Sequence, residues 1–165
     1  MSRAFVKEND LEHAGIDIPE RPVSLETNYV TPNGLNQLKN SVDKLEHDRQ
    51  KLTDTDDPII KQKKMRIERD LRYFASRLES AILVNPLNQS QNIVIFSAKV
   101  DVLNESAEKL QFEIVGEDEA DIKNNKISYL SPLAKTLIGS RVNDEVVWIK
   151  PSGQELLVIT YINYN

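Results

Sequence analysis

The chain contains no cysteine and only two histidines, His13 and His47, among its 165 residues. The absence of cysteine excludes disulfide bonds, thiolate zinc sites and cysteine nucleophiles, and two histidines leave no basis for a histidine-rich metal site. An apolar run of about 18 residues is also missing, and the first residues lack the apolar core of a signal peptide. We therefore expect a cytoplasmic protein with no membrane association and no metal or cofactor of its own.

A positive overall charge is missing as well, since the formal net charge is -5. Binding nucleic acid along the whole chain would require a basic surface, so such binding is disfavoured. The charge is uneven, and residues 31–84, with 11 basic and 9 acidic side chains, form the only net basic segment. With 39% hydrophobic residues, the chain is able to form one good core or two small ones.

The first 28 residues have little that would order them. They contain six acidic side chains, Pro19 and Pro22, but no sustained apolar period, so residues 1–28 are predicted to form a flexible N-terminal arm. A helix is then predicted to begin at Thr31-Pro32, because threonine is a good N-cap and proline is tolerated at the first helical position.

Two apolar stripes with steps of three and four residues follow this start, which is typical of a coiled coil. A turn at 53–58 separates them, with Asp57 as a second N-cap, and the second helix is predicted to run to about residue 83. Because the connection is short, residues 29–84 are predicted to form an antiparallel hairpin on the order of 30 Å long. The first stripe comprises Leu35, Leu38, Val42, Leu45 and Leu52, with Arg49 at the missing position, and the second Ile60, Ile67, Leu71, Phe74, Leu78 and Ala81.

Residues 85–165 contain the β-forming part of the chain. A short helix is predicted at 131–139, where Ser131 is the N-cap, Pro132 the first residue and Gly139 the stop. The predicted fold class is therefore α+β, a helical hairpin followed by a small sheet domain. Segments rich in β-branched and aromatic residues predict strands at 93–103, 109–115, 126–130, 145–150 and 155–162.

Three segments together resemble the GreA/GreB family of transcription elongation factors, and the similarity covers about residues 29–165. They are Tyr29-Val30-Thr31-Pro32-Asn33-Gly34-Leu35, then Ile114-Val115-Gly116-Glu117-Asp118-Glu119-Ala120-Asp121, and then Ile127-Ser128-Tyr129-Leu130-Ser131-Pro132 with Leu137-Ile138-Gly139. The resemblance implies that the hairpin precedes an FKBP-like C-terminal domain.

The resemblance also implies a partner, bacterial RNA polymerase. The C-terminal domain is expected to dock at the secondary channel while the hairpin enters it, so contact with the DNA and RNA of the transcribing complex is indirect. Taken alone, the serine-proline pair is equally a helix cap and the aspartate equally a turn residue. The resemblance implies that the docking residues of this chain are those that match the family's docking motif, which are Asp121, Ile127, Ser128, Ser131 and Pro132.

The hairpin tip departs from the family's pattern. Cleavage-competent members carry an Asp and a Glu within a motif that this chain lacks, and the hairpin is shorter by roughly two turns in each arm, on the order of 10 Å. We therefore expect a non-enzymatic regulator that modulates elongation or pausing. The alternative is a factor that stimulates transcript cleavage, in which Asp54, Asp56 and Asp57 help to hold the polymerase's magnesium. The simpler interpretation is that these aspartates cap the second helix and solvate the turn.

The second helix carries a basic stripe, represented by Lys61, Lys64, Arg69 and Arg72. Such a stripe is able to follow RNA or an acidic channel wall, although exposed helices commonly carry lysine and arginine simply as solvated helix formers. We expect a monomer. Two other classes remain as alternatives: a prolyl isomerase, for which the C-terminal half has too few aromatic residues, and a coiled-coil adaptor without polymerase contact.

Overall fold

The computed structural model describes residues 18–164, which divide into two compact units. Unit 1 consists of residues 18–25 and 40–77, and unit 2 of residues 26–39 and 78–164. Unit 2 therefore includes the beginning of the first helix together with the sheet. The ranges 1–28, 29–84 and 85–165 follow the order of motifs along the chain and stay predictions. Residues 1–17 of the predicted arm lie outside the described residues.

Two helices, α1 (Pro32–Gln50) and α2 (Pro58–Glu79), form the helical hairpin. The hydroxyl of Thr31 accepts a hydrogen bond from the Gly34 amide at 3.0 Å, and the Asp57 carboxylate accepts one from the Ile59 amide at 2.8 Å. Each helix therefore has the side-chain N-cap and first-position proline that the sequence predicts. Residues 51–57 form the connecting turn.

The predicted apolar stripes lie on the buried faces of the two helices. Leu38, Ile67 and Leu71 are only 2%, 7% and 9% exposed. Every other predicted stripe residue is half-buried, whereas Arg49, at the missing position, is exposed. This burial is what a coiled-coil seam requires. Among residues 18–164, no helix has the length and apolar character needed to cross a membrane.

The end of α2 differs from the prediction. The helix stops at Glu79, and Ile82–Leu83 forms a strand, β2, that pairs in parallel with β1 (Tyr29–Val30). The Ile82 amide donates to the Asn28 carbonyl at 2.8 Å, and the Val84 amide donates to the Val30 carbonyl at 2.9 Å. The prediction of helix to residue 83 was wrong because a three-to-four period does not reveal a strand partner fifty residues away.

A five-stranded sheet forms the rest of unit 2, in the order β5-β4-β3-β7-β6. All neighbouring pairs are antiparallel except β4 and β5, which run parallel. Strands were predicted in all five places, and the α+β fold class is confirmed. The strands are β3 (Lys99–Leu103), β4 (Lys109–Val115), β5 (Lys126–Ser128), β6 (Glu145–Lys150) and β7 (Gly153–Asn163).

The predicted strand at 93–103 begins later than expected. Residues 93–98 are irregular, and Ser97 adopts a left-handed backbone with φ of 72°. Val94 instead bonds to the segment after the short helix α3 (Pro132–Leu137): its amide donates to the Ser140 carbonyl at 2.9 Å, and its carbonyl accepts from the Gly139 amide at 2.7 Å. As predicted, Ser131 caps α3, and Gly139, with φ of 90°, follows its end.

One apolar core holds the sheet and α3 together. Val100, Ile114, Leu137 and Leu157 are among its completely buried side chains. Burial of such side chains is worth about 1.5–3 kcal/mol each, so this core dominates the stability of unit 2. The core anchors β4, β5 and α3, the elements that carry the family's C-terminal motifs.

Candidate functional site

The five predicted docking residues lie on one segment at the edge of the five-stranded sheet. The backbones of Asp121 and Lys126 exchange two hydrogen bonds of 2.9 Å, which closes the loop before β5. Ile127 and Ser128 belong to this edge strand, and the Ser128 carbonyl accepts from the Ser131 amide at 2.9 Å just before α3 begins. Residues 121–132 are therefore continuous in structure, and we call them the docking segment.

The polar side chains of the docking segment maintain its local structure. The Asp121 carboxylate accepts from the Lys123 amide at 3.1 Å and from the Asn124 side chain at 2.7 Å. Ser131 accepts from the Ala134 amide at 3.2 Å as the cap of α3. These groups shape a turn and a helix start, while Pro132 is exposed. A partner would therefore meet a preformed backbone surface more than free polar groups.

Ile122 is a docking candidate that the sequence reading missed. It follows Asp121 in a short 3-10 turn, Ile122–Asn124, and its side chain is 86% exposed. Asn125, with a left-handed φ of 54°, closes the turn behind it. Single exposed apolar residues are common, but this one projects from the docking segment itself. Its run of polar neighbours gives no periodic signal that would have identified it.

Glu119 is a second residue that sequence reading did not single out. Its side chain is 2% exposed and accepts hydrogen bonds from the Thr31 hydroxyl at 2.5 Å and the Asn33 amide group at 2.7 Å. The ammonium group of Lys126 lies 3.5 Å away. A buried carboxylate at the first turn of α1 also meets the positive end of the helix dipole. We call Glu119, Thr31, Asn33 and Lys126 the clamp.

Two glycines make the clamp possible. A Cβ atom on Gly34 would lie 2.6 Å from a carboxylate oxygen of Glu119, and one on Gly116 would lie 2.5 Å from the backbone oxygen of Tyr29. Both distances are shorter than real Cβ contacts allow. The first and second motifs of the family resemblance therefore meet here, each with a glycine at the closest approach.

The third motif joins the same region through an aromatic cluster. The ring of Tyr29 lies 5.8 Å from Phe96 and 5.7 Å from Tyr129, and these two rings are 5.6 Å apart. The hydroxyl of Tyr129 donates to the Thr27 carbonyl. Such edge and tilted contacts favour aromatic pairs by about 0.5–1.5 kcal/mol beyond area burial. All three motifs thus pack within unit 2.

At the hairpin tip, the three predicted aspartates have partners within the hairpin. Asp54 lies 2.8 Å from Lys64 and Asp56 lies 3.0 Å from Lys61, while Asp57 caps α2. The hydrogen bond and charge of Lys64 lower the pKa of Asp54, and Asp54 in turn raises the pKa of Lys64. These pairs are exposed, so each is worth little, but they give every tip carboxylate a structural role.

The predicted basic face is similarly paired. Besides the two tip lysines, Arg69 bonds twice to its neighbour Asp70, at 2.9 and 3.0 Å. Arg72 binds both carboxylate oxygens of Glu20, which lowers the pKa of that carboxyl group. Arg21 lies 3.6 Å from Asp70 and 3.8 Å from the ring centre of Tyr73. Part of the sequence predicted as arm, residues 20–21, thus lies along α2.

No cluster of acidic or histidine side chains within residues 18–164 is arranged to hold a metal ion. Although the tip aspartates are close in sequence, Asp54 and Asp56 are directed to separate lysine partners and Asp57 caps α2. The absence of a resident cofactor stays a prediction.

Comparison with known proteins identifies what the chain is similar to. The family model described as "Transcription elongation factor, GreA/GreB, C-term" matches residues 89–164. A transcription elongation factor GreB from Neisseria meningitidis serogroup B is 35% identical over 159 residues, covering 86% of this chain and 98% of the relative. A transcription elongation factor GreA from Sphingopyxis alaskensis is 35% identical over 104 residues, covering 63% of this chain and 66% of the relative.

Among solved structures, the GreA factor homolog 1 protein of Thermus thermophilus is 24% identical and matches 84% of this chain and 99% of its own, with a TM-score of 0.41.

Proposed function

Because this chain belongs to the GreA/GreB family of transcription elongation factors, we propose that it binds bacterial RNA polymerase and regulates elongation without cleaving RNA itself. The docking segment holds the factor at the secondary channel, and the hairpin enters the channel. The protein acts in the cytoplasm as a monomer and reaches the nucleic acid of the transcribing complex only indirectly. Occlusion and charge at the tip then change nucleotide entry or pausing.

The pairing of the tip carboxylates carries the non-cleaving part of this proposal. Stimulating cleavage would require carboxylates that are available to a hard cation such as magnesium. Here Asp54 and Asp56 each form an ion pair with a lysine of α2, and Asp57 is the N-cap of that helix. Lys64 lies 2.8 Å from one oxygen of Asp54 and Lys61 lies 3.0 Å from one oxygen of Asp56, and these positive charges oppose the approach of a second cation. The tip is therefore suited to occluding the channel and not to supplying ligands for the polymerase's magnesium.

The docking part of the proposal rests on the shape of residues 121–132. Interfaces combine a central apolar anchor with surrounding polar groups, and a rigid anchor loses little entropy on binding. Ile122 is such an apolar side chain, held on a turn that Asp121 and Asn124 close with a 2.7 Å hydrogen bond. Pro132 adds an exposed, conformationally fixed residue at the other end of the segment.

The experiment follows RNA in backtracked elongation complexes of the cognate polymerase with magnesium. Three forms are compared with wild type: Asp54→Asn/Asp56→Asn at the tip, Ile122→Glu in the docking segment, and Leu87→Glu as a matched control. Leu87 is 71% exposed on the same unit but outside the docking segment. The asparagine substitutions keep the shape of the tip and leave the Asp57 cap intact.

Wild type is expected to change the extension rate without shortening the RNA, and Ile122→Glu is expected to abolish that change while Leu87→Glu retains it. RNA shortening by wild type that disappears in the tip variant would instead establish the cleavage alternative, with Asp54 and Asp56 acting at the polymerase's magnesium. An unchanged RNA pattern with every form would refute polymerase regulation altogether.

A further inference from the structure

Neither the docking segment nor the hairpin tip explains the role of the clamp. Among the described residues of unit 2, Glu119 of the clamp is the most deeply buried charged side chain. The Glu119 carboxylate is the common acceptor for the Thr31 hydroxyl and the Asn33 amide group. The same hydroxyl accepts from the Gly34 amide at 3.0 Å. One carboxylate therefore holds both the cap and the first turn of α1.

The clamp also reaches the docking segment. Lys126 lies 3.5 Å from the Glu119 carboxylate through its side chain, while its backbone forms the two hydrogen bonds that close the loop at Asp121. Residue 126 thus belongs to the clamp and to the docking segment together. Lys126 directly follows Asn125, which ends the turn that carries Ile122. Within β5, Lys126 pairs with Glu113 of β4.

We propose that Glu119 is a positioning residue that couples the docking segment to the first turn of α1. A partner bound at residues 121–132 then holds the start of the hairpin in a single arrangement through Lys126, Glu119 and Thr31. This inference rests on the proposed function, since it assigns a task to Glu119 within polymerase regulation. It differs from a docking role because Glu119 is buried and does not itself meet the partner.

The physical consequence of losing the carboxylate is local. Truncation leaves the Thr31 hydroxyl and the Asn33 amide group without their acceptor, and an unmade buried hydrogen bond is costly. The first turn of α1 loosens, whereas the turn that presents Ile122 keeps the hydrogen bonds that Lys123 and Asn124 donate to the Asp121 carboxylate. Loss of the carboxylate is therefore expected to leave the affinity for the polymerase unchanged and to weaken the effect of the bound hairpin on RNA extension.

The test compares Glu119→Ala, Glu119→Asp and Glu119→Gln with wild type in the full chain. Aspartate keeps the charge but withdraws it by one methylene group, so it remains informative if the alanine variant folds poorly. Glutamine keeps the length of the side chain and one acceptor oxygen, which serves Thr31, but it places an NH2 donor toward Asn33 and Lys126 and removes the negative charge. Glu105→Ala is the matched control, because Glu105 is an exposed carboxylate in the turn between β3 and β4. The measurements are equilibrium affinity for the cognate polymerase, the change in extension rate at saturating factor, and amide hydrogen exchange in residues 31–38.

We expect the alanine and aspartate variants to bind the polymerase within about twofold of wild type but to lose more than half of the effect on extension. Their amides in residues 31–38 should exchange about tenfold faster, equivalent to about 1.4 kcal/mol. Glutamine should fall between alanine and wild type in both properties, because it restores one acceptor but not the charge beside Lys126, and Glu105→Ala should match wild type.

Wild-type extension effects in the alanine and aspartate variants would overturn the inference. A loss of affinity equal to the loss of effect would also overturn it, because Glu119 would then only support the docking surface. If wild type itself neither binds the polymerase nor changes extension, the proposed function fails and this inference falls with it.

Discussion

A double-mutant cycle between Gly34 and Glu119 offers a sharp test of the clamp, because it predicts a reversal of sign. Replacing a helical glycine by alanine ordinarily stabilises a protein by up to about 1 kcal/mol. At position 34, however, the new Cβ would lie 2.6 Å from a Glu119 oxygen and 3.4 Å from the Thr31 hydroxyl oxygen. The carboxylate must withdraw from a site where its side chain is only 2% exposed.

The magnitude follows from the hydrogen bonds that the displaced carboxylate gives up. Leaving buried polar partners unsatisfied costs about 1–3 kcal/mol, which exceeds the helix-propensity gain. Gly34→Ala should therefore destabilise wild type by about 1–2 kcal/mol. In a Glu119→Ala background the obstacle is gone, and the same change should stabilise by up to about 1 kcal/mol. The expected coupling is about 1–3 kcal/mol.

Urea unfolding, followed by circular dichroism and by the fluorescence of Trp148, measures the four free energies of unfolding. The ring centroids of Trp148 and Phe112 lie 5.6 Å apart, so the fluorescence of Trp148 reports on unfolding of the core of unit 2. Additive effects, with Gly34→Ala stabilising both backgrounds, would refute the clamp geometry.

Three further predictions concern other parts of the chain. Gly116→Ala should lower the free energy of unfolding by about 1–3 kcal/mol in urea titrations, because its Cβ would lie 2.5 Å from a backbone oxygen of Tyr29 that has little freedom to move; a neutral effect would contradict that contact. Burial raises the pKa of Tyr164, so its contribution to stability is present below the ordinary tyrosine pKa and is lost as pH rises through the raised value. Wild type should therefore lose stability more steeply than Tyr164→Phe above about pH 10, and equal slopes would argue against it. Lys64→Met should raise the pKa of Asp54, followed by carboxyl NMR, toward the ordinary value of about 3.9, whereas an unchanged titration would show that the ion pair does not form in solution.

The helix starts and most strands were predictable because their determinants are local. A threonine or aspartate before a proline is both a side-chain acceptor and a suitable first residue, and each such pair begins a helix here. The stripe at three-to-four spacing likewise predicted which faces are buried. Strands 109–115 and 145–150 were found with their observed bounds because β-branched, aromatic and other apolar residues alternate or cluster there.

What escaped prediction depends on contacts between distant residues. Nothing local distinguishes Glu119 from the acidic residues around it, and its burial follows only from the approach of Thr31, 88 positions away. The early end of α2 depends in the same way on pairing with Tyr29–Val30. The exposure of Ile122 results from a turn whose closure needs the left-handed Asn125. Local patterns carry no record of such partners.

The position of the hairpin tip in the bound factor most directly tests whether the hairpin enters the secondary channel. A photo-crosslinking amino acid placed at Thr53, an exposed position in the tip turn, reports the neighbours of the tip in elongation complexes of the cognate polymerase. If the hairpin enters the secondary channel, the probe at Thr53 should crosslink to the part of the polymerase that lines this channel. These crosslinks should be lost with Ile122→Glu and retained with Leu87→Glu. Crosslinks from a probe at Ile122 with none from Thr53 would contradict insertion of the hairpin.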